Sequence, residues 1–225
     1  MSSARKRIVV FISGSGSNMM ALVKAAAASD YPAEIVAVIS DKADAGGLAK
    51  AAAEGIATFA FVRKDFASKD AHEEAILAQL EALSPDIICL AGYMRLLTGR
   101  FIQSYEGRII NIHPSLLPLF PGLHTHQRAI DAGQRIAGCT VHFVTEGMDE
   151  GPVIGQAAVP VLTDDTADAL AARVLTIEHQ LYPQSLRLLA EGKVRMESGR
   201  AVTTAKAPAV AGQQILSLLG DVSRI

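Results

Sequence analysis

The sequence is short of cysteine, of net charge and of long apolar runs, and each shortage removes a class of protein. Two cysteines in 225 residues exclude a disulfide-stapled secreted scaffold. Cys89 and Cys139 lie in apolar surroundings and read as buried free thiols of a reducing compartment. Lys and Arg total 21 against 23 Asp and Glu, a formal net charge of −2. Nucleic-acid and anionic-membrane partners select a basic footprint, so neither is expected. The apolar runs Ile8–Ile12, Ile35–Ile39 and Ile87–Ala91 have strand length, far below the roughly 20 residues of a membrane helix. The basic start, Met1 to Arg7, leads into a short strand without the apolar stretch of a secretory signal. Half of the residues are nevertheless apolar and the mean hydropathy is +0.27, which excludes disorder. A cytoplasmic globular protein is expected, of one large α/β domain or two small ones.

The chain alternates short β-branched runs with Ala- and Leu-rich helical stretches. Strands are expected at Arg7–Ile12, Glu34–Ser40, Thr58–Val62, Ile87–Ala91 and Arg108–Ile112. Between them lie helices over Met19–Ala28, over Ala45–Ala53 with Asp44 as cap, from Ser68 to Leu83, and near Thr98–Tyr105. That spacing implies parallel βαβ units with right-handed crossovers. After a Pro-rich stretch, Pro114–Gly122, and a helix near His126–Ala132, the pattern changes. Cys139–Val144 and Val153–Val161 are separated by too few residues for a helical crossover, so they form an antiparallel pair. A long helix runs from Ala167 to about Glu191, and a hairpin forms around Ser198-Gly199. The expected plan is an extension over 1–6, one domain over 7–204 and a loosely attached tail over 205–225.

Ligands of open α/β sheets bind beyond the carboxyl ends of the strands, and the polar chemistry gathers in segments at that edge. Ser13-Gly14-Ser15-Gly16-Ser17-Asn18 can hold phosphate on main-chain N–H groups at a helix start. It equally fits a tight turn capped by Ser17 or Asn18. With Met19 where a third glycine belongs, and no Gly-Lys-Ser/Thr following, it is neither a dinucleotide fingerprint nor a P-loop. Asn111 and His113 share one face of a strand end. An amide donor and an imidazole so placed can hold an oxyanion and move a proton at one centre. A lone histidine there would read as an ordinary hydrogen-bonded residue. Asn111 beside it, and prolines at 114, 118 and 121 stiffening the next loop, favour the chemical reading. His124 and His126 lack companions at metal-ligand spacing, so no metal is expected. Thr145 to Pro152 is a turn with three carboxylates, and one of these near His113 would favour the imidazolium. Tyr93 to Leu97 offers an apolar slot for a flat ring or, alternatively, a helix start with a surface Arg95. By composition alone Lys69 and Glu178 are surface charges of helices.

The run Asn111-Ile112-His113-Pro114-Ser115-Leu116-Leu117-Pro118, followed by Phe120-Pro121-Gly122-Leu123-His124-Thr125-His126, resembles the phosphoribosylglycinamide formyltransferases of purine biosynthesis. So do Ser13–Asn18, Leu90–Arg95, Val141–Thr145 and Ile177–His179, in order, over about residues 7–200. The His-Pro-Ser-Leu-Leu-Pro element alone occurs across formyl-folate enzymes. The resemblance implies a Rossmann-like α/β fold, mostly parallel with an antiparallel C-terminal part and helices on both faces. It implies transfer of the formyl group of 10-formyltetrahydrofolate to the amine of 5-phosphoribosylglycinamide, with folate as consumed cosubstrate and no tightly bound cofactor.

Carried over by position, the resemblance makes Asn111, His113 and Asp149 catalytic. Gly16, Ser17, Asn18, Met19 and Glu178 would bind the ribonucleotide. Lys69, Met94, Arg95, Leu96, Leu97, Asn111, Thr145, Glu146, Gly147, Met148 and Asp149 would bind folate, with Thr140 and His142 as secondary candidates. The chain departs from the family at Lys69, where many relatives have Arg, at Leu175, where a polar residue is common, and at Glu150, where Gly is frequent. Partners are expected to be small molecules, in a monomer or homodimer. Formyltetrahydrofolate deformylase is the chief alternative, but its relatives carry an extra N-terminal domain and here the first strand begins by Ile8. Methionyl-tRNA formyltransferase carries a C-terminal RNA-binding domain, whereas only a short tail follows Thr203. A non-catalytic binding module would not need Asn111, His113 and Asp149 together.

Overall fold

The computed structural model describes residues 4–204 and the backbone of 216–218. It divides into two compact units, Met1–Ile110 and Asn111–Ile225. The first unit begins with β1 (Lys6–Ile12), whose last five residues are fully buried. A strand covered on both faces reads as an unbroken apolar run, as this one does. It is followed by α1 (Ser17–Ala26), β2 (Ala33–Ser40), α2 (Gly46–Ala53), β3 (Ala57–Ala60), α3 (Lys69–Leu83), β4 (Ile87–Leu90), α4 (Gly99–Ser104) and β5 (Ile109–His113). β1 pairs in parallel with both β2 and β4, and β2 with β3. The strand order is β5-β4-β1-β2-β3. The boundary between the units falls inside β5, before Asn111.

Helix starts differ from expectation where backbone conformation overrides the capping residue. Ser68 does cap α3, accepting from Ala71 N, and Thr98 caps α4, accepting from Phe101 N. Asp44 does not cap α2; the cap position is Ala45, with no side-chain bond. Neither Ser17 nor Asn18 caps α1. Gly16 occupies that position at φ 70°, in the left-handed region. A capping side chain works from extended backbone, so a left-handed cap residue needs another purpose.

The second unit holds α5 (Thr125–Asp131), β6 (Ile136–Phe143), β7 (Val153–Pro160), α6 (Ala167–Ala190), β8 (Val194–Glu197), β9 (Arg200–Thr203) and β10 (Leu216–Leu218). β6 and β7 are antiparallel, as the short connection requires. β8 and β9 form the expected hairpin. β10 pairs antiparallel with β7; the rest of the expected loose tail lies outside the described residues. Cys89 and Cys139 are buried free thiols. Among the described residues no helix is long and apolar enough to cross a membrane.

The turn between β6 and β7 depends on a backbone approach that admits no side chain. A Cβ on Gly151 would lie 1.7 Å from the Phe143 carbonyl oxygen. Gly151→Ala is therefore expected to cost about 2–3 kcal/mol in urea denaturation. Gly46→Ala, into open space at the start of α2, should change stability by no more than about 1 kcal/mol. Equal effects would show that the turn relaxes around the added methyl group.

Candidate active site

In the first unit, the segments that leave β1, β2 and β4 at their carboxyl ends are tied to one another. Gly16 lets the loop after β1 pass against α2: a Cβ there would lie 2.9 Å from Gly47 Cα. Gly47 N–H donates to the Gly14 carbonyl, and Lys50 Nζ lies 2.9 Å from the Ser15 carbonyl. α1 thus opens with its first-turn N–H groups beyond the reach of intrahelical acceptors, at the end that favours an anion. The Met19 side chain is fully buried, so any ligand contact from that residue runs through its main chain.

A cavity of about 400 Å³ lies nearby in the same unit, lined by Lys69, Arg63, Tyr93 and the segment Met94–Leu97. This volume suits a drug-sized molecule. Met94 and Leu96 present exposed apolar surface, each 62% accessible. Burial, and then the charge of Asp41, push the Tyr93 hydroxyl well above its ordinary range. Arg95 Nε donates to Asp41 Oδ2 at 2.8 Å.

The second unit assembles an amide, two imidazoles and a carboxylate. His113, at the end of β5, has Nε2 3.0 Å from the Phe120 carbonyl and Nδ1 3.4 Å from Asp149 Oδ2. Asp149 adopts φ 58°, and its Oδ2 accepts from Gly122 N–H at 2.8 Å. Asn111 Nδ2 lies 3.2 Å from His142 Nε2. His142 Nδ1 lies 2.8 Å from the Phe143 carbonyl and therefore carries the proton. Its Nε2 is then an acceptor, and the Asn111 amide donates to it. Burial is the largest influence on His142 and holds it below its ordinary value of 6.5, against the pull of Phe143 and Asp149. The loop that accepts from His113 is itself braced. Ser115 Oγ donates to the Leu119 carbonyl, and Thr140 Oγ1 donates to the Ser115 carbonyl while accepting from Leu117 N–H. Gln156 Nε2 donates to Thr140 Oγ1 and to the Leu117 carbonyl. Among the described residues, no group of three or more His, Cys, Asp or Glu side chains is arranged to hold a metal.

The formyl transferase family model matches residues 6–186. The chain belongs to the formyl transferase family. It is 44% identical to the phosphoribosylglycinamide formyltransferase of Escherichia coli, over 86% of this chain and 92% of that protein. The crystal structure of the Brucella melitensis phosphoribosylglycinamide formyltransferase superposes with a TM-score of 0.81 at 73% identity, covering 83% of this chain and 96% of that one. The chain is also 46% identical, over 85% of its length, to the trifunctional purine biosynthetic protein adenosine-3 of Drosophila melanogaster, of which it spans 14%. A formyltetrahydrofolate deformylase from Pseudomonas syringae shares the fold at 25% identity and a TM-score of 0.83; the alignment covers 90% of this chain and 67% of the deformylase.

Within this family fold, the residues expected to act together are brought together unit by unit. Asn111, His113 and Asp149 form one group with His142 in the second unit, and Lys69 and Met94–Leu97 line one cavity in the first. Thr140 has a different place from a reacting group, since its hydroxyl is fully buried and occupied in bracing the 115–117 loop. Glu178 is not a surface charge: it is 6% exposed within α6, and its charge adds to burial in pushing the Cys139 thiol up. Within 145–149 the main chain separates the side chains, with Met148 52% exposed and the Asp149 side chain only 13%. Asp41 carried no sequence signal beyond its place directly after a buried strand, yet it pairs with Arg95.

Protons taken up by unfolded but not folded chains lower stability as pH falls. His142, His126 and His179 are all held low by burial, so stability should drop below about pH 6.5. The urea midpoint is expected to fall between about pH 7.5 and about pH 5.5, and to fall less in His142→Gln. An unchanged slope in that variant would remove His142 from the groups responsible.

Proposed function

We propose that the protein transfers the formyl group of 10-formyltetrahydrofolate to the amine of 5-phosphoribosylglycinamide, giving formylglycinamide ribonucleotide and tetrahydrofolate. The observation that carries the reading is the group in which His113 lies 3.4 Å from Asp149 and Asn111 is joined to the same carboxylate through His142, in a chain 44% identical to an enzyme of that name over nearly its whole length. The group contains no activated nucleophile. Cys139 is buried with its thiol pushed up, and the Ser115 hydroxyl is occupied by loop carbonyls. The substrate amine itself is then the nucleophile.

In this reading the amine nitrogen attacks the formyl carbon, and the carbonyl electron pair moves to oxygen. Asn111 and a protonated His113 hold that oxyanion, the kind of stabilisation that is often worth several kcal/mol. The tetrahedral carbon then releases N10 of the folate. The proton lost by the amine ends on N10, with Asp149 assisting its transfer through water. Ser17, Asn18 and Met19 would offer main-chain N–H groups to the phosphate beside Gly16, and Glu178 would meet the glycinamide end. Lys69, Met94–Leu97, Asn111 and Thr145–Asp149 are assigned to folate. We read 7–204 as one formyltransferase domain, since the family match spans both units, and place it in the cytoplasm with small molecules as partners. The amine acceptor distinguishes this reading from deformylase, which gives the formyl group to water and is the more distant relative.

Optical assay of folate product should show turnover that depends on the ribonucleotide; folate release without it would identify a deformylase. His113→Ala should lower turnover by at least about a hundredfold while ribonucleotide affinity stays within a few-fold. Gly16→Val forces a branched side chain into left-handed backbone and against Gly47. In calorimetry, it should weaken ribonucleotide binding strongly and spare a folate analogue. Unchanged ribonucleotide affinity in a folded variant would move the phosphate elsewhere.

A further inference from the structure

The segment Met94–Thr98, the later part of the connection from β4 to α4, has no regular structure of its own. Among the described residues, the main-chain N–H and C=O groups of Arg95, Leu96 and Leu97 make no intramolecular hydrogen bond. Three successive residues with open donors and acceptors, on the wall of a cavity, can read the edge of a flat heterocycle. They can do so only if the strap holds its shape before the ligand arrives, since ordering it on binding would consume affinity. Nothing within the strap supplies that order.

Its two ends are held from outside by buried acids. At the front, Ser13 Oγ donates to Asp41 Oδ1 at 2.5 Å and accepts from Met94 N–H at 2.9 Å. Asp41 Oδ2 accepts from Arg95 Nε at 2.8 Å. The circuit closes: Met94 main chain, Ser13, Asp41, Arg95 side chain and back along the backbone. It fixes one peptide and one rotamer at once. The terminal amino groups of Arg95, whose side chain is 41% exposed, are left for solvent or ligand. At the far end Glu73 accepts from Thr98 N–H at 3.0 Å and also from the Thr98 hydroxyl. Asp41 and Glu73 are 4% and 5% exposed. Carboxylates so buried are costly unless their oxygens are filled, and here the strap fills them. Glu73 also lies 3.9 Å from Lys69 Nζ, on the same cavity.

We propose that Asp41 and Glu73 are positioning residues that clamp the two ends of the 94–98 strap, so that its open main-chain groups are preset for the edge of the folate heterocycle. The proposal rests on assigning folate to this cavity, and it concerns affinity for the ring rather than formyl transfer. A purely structural role would lower stability without preferring one substrate over the other.

Steady-state kinetics on Asp41→Asn, Glu73→Gln and Ser13→Ala, with each substrate varied separately, test it. The folate KM is expected to rise about tenfold, the loss of one charge-assisted hydrogen bond, while the ribonucleotide KM and kcat stay within about twofold. Asp41→Asn combined with Arg95→Ala should raise the folate KM by less than the product of the single effects. Glu74→Gln, which removes an exposed pair with Arg100, should change nothing. Folded variants with an unchanged folate KM, or with both KM values raised alike, would overturn the clamp. Ser13→Ala carries the test if Asp41→Asn does not fold. Calorimetric titration with 5-formyltetrahydrofolate separates the two readings. Wild-type binding that weakens in Asp41→Asn, without formyl transfer to the ribonucleotide, would keep the clamp and reject the function. Transfer with undiminished binding in Asp41→Asn would do the reverse.

Discussion

The arrangement of the second unit turns on one carboxylate. Asp149 Oδ2 accepts the Gly122 N–H and lies 3.4 Å from His113 Nδ1, while Oδ1 lies 3.7 Å from His142 Nε2. Three segments distant in sequence therefore meet at a single side chain: the end of β5, the end of β6 and the loop that holds Gly122. The residue carrying it sits at positive φ, an uncommon state for anything but glycine, though aspartate is among the residues that tolerate it. Such a conformation survives only where the surroundings over-determine it. The close approach of Gly151 to Phe143 two residues on shows the same tightness in the same turn.

The first unit solves a related problem with other means. A parallel sheet leaves all its strands at one edge, so the loops after β1, β2 and β4 converge without any sequence proximity. Convergence alone would give a cluster of mobile loops. Gly16 against Gly47, Lys50 on the Ser15 carbonyl and Asp41 between Ser13 and Arg95 turn it into a fixed surface. In both units carboxylates hold irregular backbone: Asp41 by way of Ser13 and Glu73 directly in the first, Asp149 through Gly122 in the second.

Legibility in the sequence followed the range of the interactions. Strands such as Ile8–Ile12 declared themselves because burial on both faces demands an apolar run, and β6–β7 declared its direction through the length of its connection. The His113 loop was legible through its prolines and the Asn111–His113 spacing. What stayed hidden depended on which distant partner a polar residue meets. Asp41 and Asp44 lie three positions apart in the same connection, and nothing local tells the buried acid from the solvated one. The burial of Glu178 is hidden from composition for the same reason, since helix composition does not reveal which turn faces a core. Asp44, Ser17 and Asn18 failed as caps because cap chemistry presupposes a backbone conformation that the loops did not adopt.

The two histidines beside Asp149 show how the same side chain is given different work by hydrogen bonding alone. His142 meets one acceptor, the Phe143 carbonyl, and one donor, the Asn111 amide. A neutral ring satisfies both, and burial holds it in that form. His113 meets an acceptor on each side, the Phe120 carbonyl and the Asp149 carboxylate. The first arrangement orients the Asn111 amide, and the second sets the His113 ring between a carbonyl and a carboxylate; in the formyl transfer proposed above, the first would help hold the oxyanion and the second would lie beside the moving proton. The Phe120 carbonyl, presented by a loop braced through Ser115, Thr140 and Gln156, therefore sets one side of the His113 ring as the carboxylate borders the other.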